Sequence, residues 1–204
     1  MRGRGSRGAA GRILSDRPQV VAHVAIALNG ATRGFAPDLG EFYGLAATWH
    51  EDATLTGADT ILAQEPALAA APPGPGPDPE GPLLAVVDSR SRVTAWDALR
   101  SSGHWRDVVA LRGRAPGARV DLAEALERLA IDGARTVRVD SGGRLIGALL
   151  EHGLLDEMSL LVHPCLGDGL SWDDGRRVDA TFTLTHEERR DGGLVWLRYA
   201  IHAG

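Results

Sequence analysis

Four short stretches of this sequence bring small, hydroxylated or cationic residues to the end of an apolar run. They are "ALNG" at 27–30, "LTGADT" at 55–60, "VVDSRSR" at 86–92 and "VDSGG" at 139–143. Each reads as the carboxyl end of a strand running into a turn, the place where open α/β sheets collect their ligands. Glycine at such a turn lets the backbone approach a ligand closely, and the free N–H groups of a helix's first turn attract phosphate. Gly57, Thr60, Ser141, Gly142 and Gly143 together suit the pyrophosphate of a dinucleotide. The plainer reading is that these glycines only turn the chain and let helix pack on sheet, and neither stretch matches G-x-G-x-x-G. Ser89 and Arg90 suit a phosphate monoester, because a guanidinium forks around the oxygens while a hydroxyl donates once more. The 2′-phosphate of NADPH is such a group; a solvated turn carrying Arg90 and Arg92 is the alternative.

His23 interrupts an apolar strand, and a buried imidazole persists only when hydrogen-bonded. It belongs either to the core or to a site. The seven histidines are scattered, without H-x-x-x-H or H-E-x-x-H spacing, so no metal site is expected. The single cysteine, Cys165, excludes an internal disulfide and reads as a small buried filler. A G-x-S-x-G nucleophile elbow is missing.

The elements that must position these residues follow from periodicity. "QVVAHVAIAL" is a strand covered on both faces. "DLGEFYGLAATW" is a helix capped by Asp38, with Leu39, Phe42, Leu45 and Ala46 on one face. "ATLTG" is a strand, followed by a brief helix that Pro66 closes. Residues 71–82, "APPGPGPDPEGP", form an exposed loop. "LLAVVD" and "DVVALR" are strands. Leu122, Ala125, Leu126 and Leu129 mark a helix starting near Asp121. "TVRV" is a strand, 142–152 a helix and "EMSLLVHP" a strand. The last runs form an antiparallel hairpin around Asp191-Gly192-Gly193. The expected class is α/β: a mostly parallel central sheet with helices on both faces and a C-terminal antiparallel hairpin, in one domain spanning 17–204 after a Gly/Arg-rich tail at 1–16.

Bulk properties narrow the partners. A net charge of -5 and a pI near 5.8 leave no basic footprint for nucleic acid. No apolar run of about 18 residues is long enough to span a bilayer, and the N-terminus lacks the apolar stretch of a secretory signal. A cytoplasmic protein is expected.

Taken in order, five blocks resemble the reductase domain of bacterial riboflavin biosynthesis, the C-terminal half of the bifunctional deaminase-reductase, which has the dihydrofolate-reductase fold. "HVAIALNG" is similar to the family's K-x-A-x-S-L-D-G, "GADTILAQEP" to G-x-G-T-V-L-A-D-D-P, and "VVDSRSR" to V-L-D-S-R. "VDSGGRLIGALL" is similar to V-E-G-G-P-T-L-L-G-A-L-L, and "LDEMSLLVHPCLGDG" to V-D-E-L followed by P-x-L-L-G-G-G. The resemblance covers about residues 17 to 202, without a deaminase half. It implies NADPH as cofactor, with Ala25 presenting backbone to the nicotinamide carboxamide, Thr60 and Gly142 against the pyrophosphate, and Ser89 and Arg90 on the 2′-phosphate. His23 stands where the family has Lys and Asp140 where it has Glu, so the two are expected as a catalytic pair, with His23 supplying or relaying a proton. Asn29 and Glu65, replacing family Asp residues, are expected on the substrate side. The S-x-W-I segment and the arginines of the following helix, which help hold the substrate's ribose phosphate, are missing. That points to a retained hydride donor and a changed, small heterocyclic or imine/carbonyl acceptor. The usual ribosylaminopyrimidine phosphate, held through Arg33 or Arg144, is the alternative substrate, and an inactive nucleotide-binding or structural dimer the alternative role. Family members are commonly homodimers, and the hairpin with Trp196 and Tyr199 is the expected interface.

Overall fold

The computed structural model describes residues 17–175 and 178–203; the tail expected at 1–16 lies outside them. Ten strands and five α-helices follow one another as β1 (Gln19–Ala27), β2 (Ala31–Arg33), α1 (Leu39–Ala46), β3 (Ala53–Gly57), α2 (Ala58–Ala70), β4 (Leu83–Val87), α3 (Trp96–Ser101), β5 (Asp107–Leu111), α4 (Leu122–Ile131), β6 (Thr136–Val139), α5 (Gly143–Glu151), β7 (Glu157–His163), β8 (Asp168–Ser171), β9 (Ala180–Arg189) and β10 (Val195–Ala203). Eight strands make one sheet in the order β5-β4-β3-β6-β1-β7-β10-β9. The first six are parallel, and β10 and β9 close the sheet antiparallel, as expected.

Alternation along the strands sorts side chains onto two faces. On one face Val20, Ala22, Val24 and Ile26 of β1 join Leu126 and Leu129 of α4 and Ile146 and Leu149 of α5 in the largest apolar cluster. The opposite face carries two separate clusters. Ala58 and Ile61 of α2 pack with Leu99 of α3 over β4 and β5, while Phe42 and Leu45 of α1 pack with Leu161 and Trp196 over β7 and β10. Between those clusters the strands present polar side chains: Thr54 and Thr56 from β3, Arg138 from β6 and His23 from β1, all buried. A cleft opens at the carboxyl end of this strip.

Several local expectations change. α2 runs through Pro66 instead of stopping there, losing one backbone hydrogen bond without ending the helix. Leu39 faces solvent, so the buried face of α1 is Phe42, Leu45 and Ala46. Cys165 is half-buried, not a core filler. Trp196 is 6% exposed and packs in the core with Phe42, Leu45 and Leu161. The short β2 and β8, which pair antiparallel, carry too few residues to show a period. No described helix is long and apolar enough to cross a membrane.

Candidate functional site

The cleft is a cavity of about 910 Å³, well within the range of small-molecule sites. Its floor is made by strand ends and its sides by α1 on one hand and α2 and α5 on the other. His23, Ala25, Gly57, Thr60, Ser89, Asp140, Ser141, Gly142 and Gly143, nine residues expected at a site, all line it. Bringing three separate strand-end motifs to one cavity follows from the order β4-β3-β6-β1, which sets their carboxyl ends side by side.

Two helices begin at the cavity, and neither has a side-chain cap. α2 starts after Gly57 and α5 after Gly142, and in α5 the Leu145 N–H donates to the Gly142 carbonyl at 3.3 Å. Ser141 ties the two starts together: Gly57 N–H donates to its Oγ at 3.2 Å, and Thr60 Oγ1 lies 3.3 Å from the same atom. The glycine pair divides its work. A Cβ on Gly142 would meet nothing within 4 Å, whereas one on Gly143 would collide with the Ser171 carbonyl and lie 3.0 Å from the Asp174 nitrogen. Gly143 is therefore required for packing against the turn after β8, and it lines the cavity as well. Gly142 leaves open space at an uncapped helix start.

After β4 the chain reverses sharply. Ser91 N–H donates to the Asp88 carbonyl at 3.2 Å, and the buried Asp88 carboxylate accepts from Arg92 N–H and Val93 N–H, each at 3.0 Å. This turn aims Ser89 and Arg92 at the cavity. Arg90, at its tip, is exposed and lies outside the lining, so the expectation for Arg90 passes to Arg92. Arg33, Arg119 and Arg144 also line the cavity. Arg119, in the loop before α4, carries no motif that sequence reading could use.

His23 is 1% exposed and fully engaged. Its Nε2 lies 3.0 Å from the Phe42 carbonyl, an acceptor only, so Nε2–H donates there. Nδ1 then accepts from the Ser159 hydroxyl at 2.9 Å, and Ser159 Oγ in turn accepts from the Trp196 indole N–H at 2.8 Å. The ring stacks on Phe42 with centroids 4.4 Å apart. Burial, reinforced by the positive charges of Arg138 and Arg198, pulls its pKa down to about 4 against the Phe42 hydrogen bond that raises it. A neutral imidazole with both nitrogens committed has no proton to supply, and neither nitrogen engages Asp140. His23 and Asp140, expected as a catalytic pair, both line the cavity but make no direct contact, because the imidazole nitrogens are spent fastening α1 to β1 and β7.

Asp140, at the end of β6, does face the cavity. Its Oδ2 accepts from Arg138 Nη1 at 3.4 Å, and Arg138 Nε donates to Glu51 Oε1 at 2.7 Å. Both Arg138 and Glu51 side chains are almost wholly buried, so a paired cation lies under the Asp140 carboxylate. Tyr43 of α1 also lines the cavity, and desolvation followed by the Asp140 charge raises its pKa, keeping the phenol protonated. Sequence reading missed Tyr43, Arg138 and His163. The last accepts the Asp38 N–H at 3.0 Å on Nε2 and so anchors the start of α1 to β7.

Two residues expected at the substrate lie elsewhere. The Asn29 amide donates to the Gly167 carbonyl at 2.9 Å and its oxygen accepts from Gly167 N–H at 3.1 Å, clipping two loops together. Glu65 Oε1 accepts from Thr94 N–H at 2.8 Å, Ala95 N–H at 3.1 Å and the Thr94 hydroxyl at 3.2 Å. The Thr94 N–H bond is the largest cause holding its carboxyl below the usual range. Both are spent on backbone and neither lines the cavity. Among the described residues, no cluster of three or more His, Cys, Asp or Glu could hold a metal ion.

The chain is 28% identical over 154 residues to riboflavin biosynthesis protein RibD of Corynebacterium ammoniagenes, covering 75% of this chain and 43% of that protein. It is 31% identical over 137 residues to the 2,5-diamino-6-ribosylamino-4(3H)-pyrimidinone 5′-phosphate reductase of Archaeoglobus fulgidus, 55% of this chain and 62% of that protein. It thus spans less than two thirds of either relative. Dihydrofolate reductase from Enterococcus faecalis, solved with NADP(H) and RAB-propyl, superimposes with a TM-score of 0.54 at 11% identity over 90% of this chain and 96% of that one, showing the shared fold. Residues 46–195 match the RibD C-terminal domain. With that match over most of its length and a dihydrofolate-reductase-like sheet beneath the cavity, the chain belongs to the RibD C-terminal domain family of pyrimidine reductases.

Proposed function

We propose that this chain is a cytoplasmic NADPH-dependent reductase that passes hydride to a small heterocyclic or imine/carbonyl acceptor. The observation that carries the reading is the pair of uncapped helix starts, at Gly57 and Gly142, opening onto one cavity rimmed by arginines. That donor set fits a dinucleotide diphosphate, and the open space at Gly142 leaves room for it. Gly57, Thr60, Ser141 and Gly142 would hold the pyrophosphate, Ser89 and Arg92 the 2′-phosphate, and the Ala25 backbone the carboxamide. When bound, the coenzyme supplies the hydride. The protein's part is to hold an acceptor against it, oriented by hydrogen bonds to Tyr43 and Asp140. A phosphorylated acceptor is a second reading, favoured by Arg33 of β2, which lines the cavity near α1.

Calorimetric titration with NADPH tests the coenzyme. Arg92→Ala is expected to weaken binding by about fivefold, the scale of a solvent-exposed charge-assisted contact, while Arg90→Ala stays within about twofold of wild type. A wild-type titration that stays flat at coenzyme concentrations on the order of millimolar, far weaker than a coenzyme site requires, would refute the reading.

A homodimer remains part of the proposal, now through β9. This ten-residue strand is the outer edge of the sheet and exposes Phe182 and Leu184, an arrangement that natural sheets rarely leave bare. Light scattering should give twice the chain mass, and Leu184→Lys should halve it; a monomeric wild-type protein would remove the dimer.

A further inference from the structure

Asp59 sits in the first turn of α2 and lines the cavity. Its carboxylate is held by arginines from two other elements: Oδ1 lies 2.7 Å from Arg92 Nη2, and Oδ2 lies 3.4 Å from Arg144 Nη1. Arg92 returns from the turn after β4, and Arg144 belongs to the first turn of α5. The Asp59 side chain is 51% exposed and its partners are open to solvent as well, so a ligand can pull these pairs apart at small cost. The negative charge stays where it is when they part.

Resting on the coenzyme reading above, we propose that Asp59 sets the discrimination between NADPH and NADH, by engaging Arg92 and presenting a carboxylate where the 2′-phosphate must lie. A 2′-phosphate brings negative charge toward a fixed carboxylate and has to take Arg92 away from it. An unphosphorylated ribose offers a 2′-hydroxyl, which donates to a carboxylate; acidic residues select NAD by this contact in doubly wound folds. Asp59 therefore works against the coenzyme that Arg92 favours, and the two opposing residues leave a narrow preference. The pyrophosphate is common to both coenzymes, so any repulsion felt there changes both affinities alike and cannot discriminate.

The test is calorimetric titration of wild type, Asp59→Asn and the Asp59→Asn/Arg92→Ala double variant with NADPH and with NADH, without acceptor. Wild type is expected to bind the two coenzymes within about tenfold of each other, and Asp59→Asn to tighten NADPH about tenfold, as removal of one near charge at a solvated site predicts, with NADH unchanged or weaker. The double variant should return NADPH to the NADH level. Asp59→Ser provides the same comparison if the Asn variant does not fold. An unchanged NADPH to NADH ratio in Asp59→Asn, whether from no effect or from an equal gain for both, overturns the proposal while leaving the coenzyme reading intact. Wild type that binds neither coenzyme defeats the coenzyme reading and this inference with it.

Discussion

Asp140→Asn is expected to slow single-turnover hydride transfer by about tenfold to a hundredfold, the scale of a lost charge-assisted hydrogen bond, while NADPH affinity stays within about twofold. Asp140 is the carboxylate on the cavity floor, its charge felt by Tyr43, whereas Asp59 stands at the start of α2. A carboxylate there accepts a hydrogen bond from an acceptor's N–H and fixes its register against the coenzyme; an amide of the same shape loses the charge that makes this contact strong. The Arg138 contact does not confound the result, because at 3.4 Å it is the longer of that guanidinium's two carboxylate contacts, and Glu51 holds the nearer one at 2.7 Å. Glu51→Gln serves as the control: it strips a buried arginine of its main partner, so it should lower thermal stability more than Asp140→Asn does. The measurement is loss of reduced-nicotinamide fluorescence with any acceptor the wild-type chain turns over. Transfer in Asp140→Asn at the wild-type rate would remove this residue from the chemistry.

The second large effect is on stability and comes from His23. Its folded pKa, about 4, lies below the unfolded value of 6.5. The folded state therefore binds fewer protons than the unfolded state between those values, and the contribution of a neutral, buried His23 is fully present above pH 6.5 and drains away as pH falls toward 4. The integrated loss is about 3 kcal/mol. Urea unfolding of wild type and His23→Gln at pH 7 and pH 4 isolates it, because other titrating groups act in both proteins: the difference between the two should shrink by about that amount at the lower pH. Gln offers a donor toward the Phe42 carbonyl but does not titrate. A histidine that instead acted as the proton donor would show the opposite pattern, with transfer lost in His23→Gln and no change in the pH dependence of stability.

How much of this was legible in the chain depended on the range of the interaction that decides each feature. Strand and helix identity is local: β-branched runs such as "QVVAHVAIA", the Asp38 and Asp121 caps and the Asp191-Gly192-Gly193 turn all state their structure within a few residues, and all appear as expected. Motif order was enough to foresee three strand ends meeting at one cavity, because parallel strands must place their carboxyl ends together. Which side chain of a motif faces that cavity was not. Arg92 and not Arg90 lines it, since the turn around buried Asp88 reverses the chain between them. Glu65 and Asn29 looked like site residues, but a carboxylate or amide is taken by whichever backbone N–H lies nearest, and theirs belong to Thr94, Ala95 and Gly167.

The sequence by itself determined the α/β class, the positions of the strands and helices other than β2, α3 and β8, and the glycines and hydroxyls that gather at the strand ends. Only the tertiary structure decided what His23 is. Its partners stand 19 and 136 positions away, at Phe42 and Ser159, and whether an imidazole gives up protons or holds two elements together depends on those partners and on burial. Neither can be read from its neighbours in the chain, because solvation and hydrogen bonding are fixed by what folds against a residue, not by what precedes it.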